Sequence, residues 1–193
     1  MGLLSRLFGR AKQDAVRQAD DELLDPLSSS NAETREAAIE PLVTAHLCSP
    51  RLPPTEVEDA VIRILASDPD PRVRATLLSQ IAKRFVWWAD SPIGPIRVAL
   101  MERILDAIPV ALTLATPDDP ACYAAGHVIG QHGHIGRLDS IPAPHTESSA
   151  FRHGLLDGVA RRELEPAAEA IIRHLLLDSD PVLRASAEEL LEP

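Results

Sequence analysis

Apolar residues recur along most of this chain with the three-and-four spacing of a helix that buries one side. After the capping residue Thr55, positions Val57, Ala60, Val61, Ile64 and Leu65 fall at i, i+3, i+4, i+7 and i+8, the clearest helix in the sequence. Ile39, Leu42, Val43, His46 and Leu47 repeat that phase within a helix expected over 32–47. A third stripe runs through Val73, Leu77, Ile81, Phe85 and Trp88, and Val98, Leu100, Met101, Ile104, Leu105 and Ile108 make a fourth over 96–115. Trp87 lies about 100° around the helix from Trp88. It reads either as a residue packed on an adjoining loop or as an interface anchor, since tryptophan is enriched at binding hot spots. Further helices are expected over 13–25, 121–131 and 148–159, then as a last pair over 165–177 and 181–191. Pro41 and Pro109 interrupt two of these patterns and are expected to kink them. The stretch from 126 to 145 holds four glycines and two prolines. It reads as an irregular unit with a very short first helix and a mobile joint, because each glycine costs a helix up to about 1 kcal/mol relative to alanine. The expected class is all-α.

One motif recurs. Asp68 to Leu78 reads D-P-D-P-R-V-R-A-T-L-L, and Asp178 to Leu191 reads D-S-D-P-V-L-R-A-S-A-E-E-L-L. In both, an Asp precedes a second Asp by two residues, Pro follows at the first helical position, and Arg comes six residues after the first Asp. Proline there gives up only an N–H that has no helical partner, and the Asp before it caps the helix. Each copy is therefore turn, cap, helix. This pattern resembles the HEAT-repeat family, in which such a turn joins the two antiparallel helices of a repeat. The resemblance implies a right-handed α-solenoid of about five helix pairs whose second helices line a concave surface. It also implies that Asp68 with Arg74, and Asp178 with Arg184, serve the stack as structural turn residues through hydrogen bonds or ion pairs between repeats. Counted by second helices, Arg35, Arg74, Tyr123, Arg152 and Arg184 are equivalent, at separations of 39, 49, 29 and 32 residues. The third copy, P-D-D-P at Pro117 to Pro120, lacks both signature residues. Residues 13–193 form a single repeat domain on this reading.

Composition narrows the function classes. With 45% hydrophobic and 25% charged residues the chain has an ordinary globular balance, and aromatics at 3% leave a core of Leu, Ile, Val and Ala. Formal charge is −10, and residues 1–12 contribute Arg6, Arg10 and Lys12 with no acid. An acidic surface opposes nucleic-acid binding, which draws on Lys and Arg to release phosphate counterions. The preference for arginine over lysine suggests a GC-rich bacterial genome. Within 1–12, Leu3, Leu4, Leu7 and Phe8 share one helical face, so this amphipathic segment reads as a cap on the stack or a frayed tail, with contact to a membrane surface the less favoured reading. The absence of a signal-peptide pattern makes a cytoplasmic location the expectation. Cys48 and Cys122 form no C-x-x-C pair and read as buried thiols.

No catalytic group stands out. Six of the seven histidines lie from His127 onward, but no pair has the three- or four-residue spacing of ligands on one helix face, so neither a metal nor another cofactor is expected. Taking the direction opposite each buried stripe gives a partner-facing surface with Arg72, Ser79, Lys83, His132, Asp157 and Arg161, joined by Trp87. Between them run Ala121, Ala125, Ala150 and Gly154, as a groove floor open to a helix or extended peptide. The expected function is a non-enzymatic scaffold or adaptor that docks another protein, a basic one by charge. A HEAT-like enzyme, of the alkylpurine DNA glycosylase or phycobilin lyase type, is the alternative.

Overall fold

A computed structural model describes residues 22, 24–44, 56–84 and 94–192. Among these the fold is all-α, with no strand. After a 3-10 turn at Asp25–Ser28 come α1 (Ala32–Leu42), α2 (Glu56–Ser67), α3 (Pro71–Arg84), α4 (Gly94–Thr113) and α5 (Pro120–His132). A 3-10 segment at Ile135–Ser140 and the single turn α6 (Ala143–Thr146) lead to α7 (Ser149–Val159), α8 (Pro166–Leu175) and α9 (Pro181–Glu189). Residues 1–12, His46, Leu47, Cys48, Phe85, Trp87 and Trp88 lie outside the described residues, as do the expectations attached to them.

The odd-numbered helices form one row: α1 packs on α3, α3 on α5, α5 on α7 and α7 on α9, while α2 packs on α4. Each helix of the row starts from a side-chain cap. Asn31, Asp70, Asp119 and Asp180 accept a hydrogen bond from the N–H two residues on, and Ser148 accepts from the Phe151 N–H at 3.1 Å. Such caps contribute about 1 kcal/mol each and fix where the helix begins. The stripes expected from the sequence are buried: Ile39, Leu42 and Val43 on α1 and just beyond it, Val61 and Leu65 on α2, Val73, Leu77 and Ile81 on α3, and Phe151, Leu155 and Val159 on α7. Val98 departs from its stripe and is 63% exposed. Pro41 and Pro109 are both accommodated inside α1 and α4.

The signature residues pair in a way that refines the expectation. Arg74, fully buried, donates to the backbone carbonyl of Asp68, and Arg184 donates to that of Asp178 at 2.5 Å. The Asp68 carboxylate instead meets Arg35 of the preceding row helix in a two-pronged pair, Nε to Oδ2 at 2.8 Å and Nη2 to Oδ1 at 2.9 Å. Asp178 receives Arg152 of the preceding row helix through a single contact, Nη1 to Oδ1. Each aspartate also accepts the N–H of the capping aspartate two residues on, at 2.9 Å for Asp70 and 2.8 Å for Asp180. One side chain thus shapes its own turn and ties it to the previous one. Where Pro117 replaces this aspartate, Arg74 turns to the Leu114 carbonyl at 3.1 Å and to the cap Asp119 at 4.0 Å.

The largest departure lies at α5 and α7. Gly126 and Gly130 are inside α5, Gly154 and Gly158 are inside α7, and all four are buried. A Cβ on Gly126 would lie 2.1 Å from the Phe151 carbonyl oxygen, and one on Gly130 would lie 2.2 Å from that of Leu155. Reciprocally, Gly154 faces the Tyr123 carbonyl at 2.1 Å and Gly158 that of His127 at 2.2 Å. The two helices therefore run side by side in the same direction with their backbones in contact, an approach that only glycine permits. The same observation corrects the groove floor: Ala121 and Ala125 are fully buried and Gly154 is packed against α5, so these small residues meet neighbouring helices rather than a partner. Of the stretch 126–145, residues 126–132 belong to α5, and the remainder holds the 3-10 segment and the single turn α6. Arg137, on the 3-10 segment, joins them to α4 through Glu102 and Asp106.

Candidate functional site

With its alanines and glycines turned inward, α5 presents Tyr123, 39% exposed, on the outer face of the row. Its hydroxyl donates to Asp157 Oδ2 at 2.6 Å on α7. That hydrogen bond and partial burial raise the Tyr123 pKa, so the phenol stays protonated. Beside this pair a cavity of about 120 Å³ opens between α3, α5 and the end of α7, lined by Ser79, Ala82, Lys83, Tyr123, Ala124, His127 and Arg161. Helical spacing explains the grouping. Ser79 and Lys83 are four apart on α3, Tyr123 and His127 four apart on α5, and Arg161 follows Asp157 by four. The close approach of α5 and α7 brings the last two groups together.

His127 forms part of the cavity wall and is only 6% exposed, yet its Nε2 has no hydrogen-bond partner among the described residues. Its ring lies 6.1 Å from that of Tyr123 at a 49° tilt. Burial lowers its pKa below the ordinary imidazole value and the Arg161 guanidinium lowers it further, against a smaller opposing effect of Asp157. The imidazole is accordingly neutral at physiological pH. Among the described residues, neither Lys83 nor Arg161 has an acidic side chain within 4 Å. The site is cationic in a chain whose net charge is −10.

Compared with known family models, curated proteins and solved structures, the chain has no significant match. Its site is therefore read from geometry.

Of the partner-facing residues inferred from helical phase, Ser79, Lys83 and Arg161 line this cavity and Asp157 holds its rim. Arg72 lies apart, exposed and paired with Asp70 at 3.2 Å. Trp87 is outside the described residues. His132 sits at the last turn of α5, half-buried and away from the cavity lining. Tyr123 and His127 were not singled out as site residues. The departure of Tyr123 from the arginine pattern was the available signal, since it frees that position from the turn. A second, wider depression of about 580 Å³ is lined by Leu138, Asp139, Thr146, Glu147, Arg152, His174 and Ser179, but its one arginine is already paired with Asp178. Among the described residues no three of His, Cys, Asp and Glu are arranged to hold a metal. The buried Cys122 thiol is pushed up to about 11 by burial, with Asp119 and Asp118 adding to the effect, which makes it a poor nucleophile.

His132 carries a pH dependence of its own. Burial, then Arg162 and His127, bring its pKa down to about 4. The unfolded chain takes up this proton near pH 6.5 and the folded chain only near 4, so the stabilising contribution is complete above 6.5 and is lost as pH falls toward 4. The expected loss is about 3 kcal/mol for this group. Chemical unfolding of wild type and His132→Gln across that range checks it: the difference in stability between them should shrink or reverse toward acid. A constant difference would show that the proton is not linked to folding.

Proposed function

We propose that this chain is a non-enzymatic docking module. Its row of helices is read as the second helices of a right-handed solenoid of about five HEAT-like pairs, and a partner protein or peptide docks on the face they share. The observation that carries this reading is the cationic cavity on that face, where Lys83 and Arg161 have no acidic partner among the described residues and the buried His127 forms part of the wall. Supporting the repeat architecture are the five side-chain caps and the Arg35–Asp68 and Arg152–Asp178 pairs that link successive row helices. The acidic remainder of the surface draws a basic partner by long-range attraction, and the cavity takes an acidic group from it.

Affinity capture from the source cell tests this, with wild type compared to a Lys83→Glu/Arg161→Glu double variant. Both positions are exposed, so the variant keeps its fold. Proteins retained by wild type and lost from the variant are the expected result. A captured set unchanged by the double substitution removes the docking face from this side of the row.

A further inference from the structure

The cavity between α3, α5 and α7 has the composition of an anion site. Two cations approach it from different helices, Lys83 from α3 and Arg161 from the end of α7, and Ser79 adds a hydroxyl that can donate. Charge-assisted hydrogen bonds of this kind are about twice as strong as neutral ones. The volume of about 120 Å³ is enough for one carboxylate or tetrahedral oxyanion. His127 forms part of the same wall, and its Nε2 is enclosed without a hydrogen-bond partner among the described residues. We propose that this cavity binds an oxyanion head group, a carboxylate or a phosphate, with Lys83 and Arg161 as its countercharges and Ser79 as a hydroxyl donor. That the head group arrives on a docked protein segment rests on the docking reading above; the ion site itself does not.

A pH signature follows from the groups that face His127. These are Tyr123 on its own helix, Lys83 across from α3, and Asp157 and Arg161 from α7, with His132 a turn further along α5. In the empty site burial, and after it Arg161, disfavour the imidazolium. A bound anion offsets that cation and gives a protonated ring a counterion, so binding takes up a proton and tightens as pH falls. For one linked proton the gain approaches tenfold per pH unit, as an upper limit.

Acetate and inorganic phosphate serve as probes, titrated into the full chain at low ionic strength and followed through the NMR signals of the His127 ring and the Arg161 guanidinium. Saturable shifts are expected in wild type, with binding at least about tenfold weaker in Lys83→Ala and in Arg161→Ala. The probe that binds more tightly identifies the natural head group as carboxylate or phosphate. Sulfate, whose charge is constant over the range, gives the pH profile: affinity should rise toward acid in wild type and stay flat in His127→Gln. No saturable shift, or shifts that survive both alanine substitutions with the fold intact, overturns the proposal. Equal pH slopes in wild type and His127→Gln would remove His127 from it. If the ions bind as expected but the captured partners ignore charge reversal, the docking reading falls and the anion site stands. If partners depend on Lys83 and Arg161 while no probe ion binds, the anion site falls and docking stands.

Discussion

Gly154→Ala is expected to destabilise the protein by at least about 3 kcal/mol, and Gly126→Ala to do the same. Both glycines sit inside helices, where alanine ordinarily stabilises by up to about 1 kcal/mol. Here the sign reverses, because the added methyl group would lie 2.1 Å from a backbone carbonyl oxygen, that of Tyr123 in one case and of Phe151 in the other. Neither oxygen can turn aside as a side chain would, so α5 and α7 must separate along their length. Overpacking against flexible neighbours costs about 1 to 3 kcal/mol, and a contact made by the backbone itself belongs at or above the top of that range. Gly136→Ala is the internal control: its nearest neighbour is the His134 ring at 3.2 Å, which can move. Urea unfolding of the three variants decides the matter. If Gly154→Ala and Gly126→Ala are as stable as wild type, the backbones are not in contact. Because the cavity depends on the spacing of α5 and α7, loss of anion binding should accompany any variant that folds.

The second large effect is expected at Asp68. Asp68→Ala strips Arg35 of both prongs of its pair, in a setting where the two side chains are only 10% and 5% exposed, and leaves the Asp70 N–H without its acceptor. Removing one partner of a buried pair costs about 3 to 5 kcal/mol, since the other charge stays buried and uncompensated. Arg72→Ala, which breaks an exposed pair with Asp70, should cost no more than about 1 kcal/mol. Thermal unfolding of the two side by side is sufficient, and similar midpoints would show that Asp68 does not tie the helices together. Asp178→Ala should fall between them, because Arg152 is 20% exposed and retains access to water.

These two regions differ in how openly the sequence declares them. Caps and stripes are local: Asp70 before Pro71, or Ile64 and Leu65 in phase with Val61, carry their meaning within a few residues, and the helices followed from them. The partner of Asp68 was less visible. The motif suggested Arg74, six residues on, yet Arg74 reaches only the backbone carbonyl of Asp68, while the carboxylate is taken by Arg35, thirty-three residues earlier. Glycine was misleading for a physical reason. Its intrinsic preference disfavours helix, and only contact with a second backbone reverses the sign. The spacing of four in both Gly126/Gly130 and Gly154/Gly158 was the clue, and two matched glycine pairs in successive helices signal close approach. Of the site, helical phase found Ser79, Lys83, Asp157 and Arg161. It missed His127, because a residue at the edge of a buried stripe becomes a cavity wall only when the neighbouring helices have been placed.

A row built from look-alike helices is an inviting substrate for lineage change, since copying a unit lengthens the row and deleting one shortens it. The paired glycines close that route at one position. A helix inserted between α5 and α7 would need glycine at matching places on both of its flanks, and an ordinary copy, with side chains there, would set its methyl groups onto carbonyl oxygens on either side. Duplications that split this pair should be eliminated while those elsewhere in the row survive, so α5 and α7 are expected to have been inherited as one block, together with the cavity they help enclose.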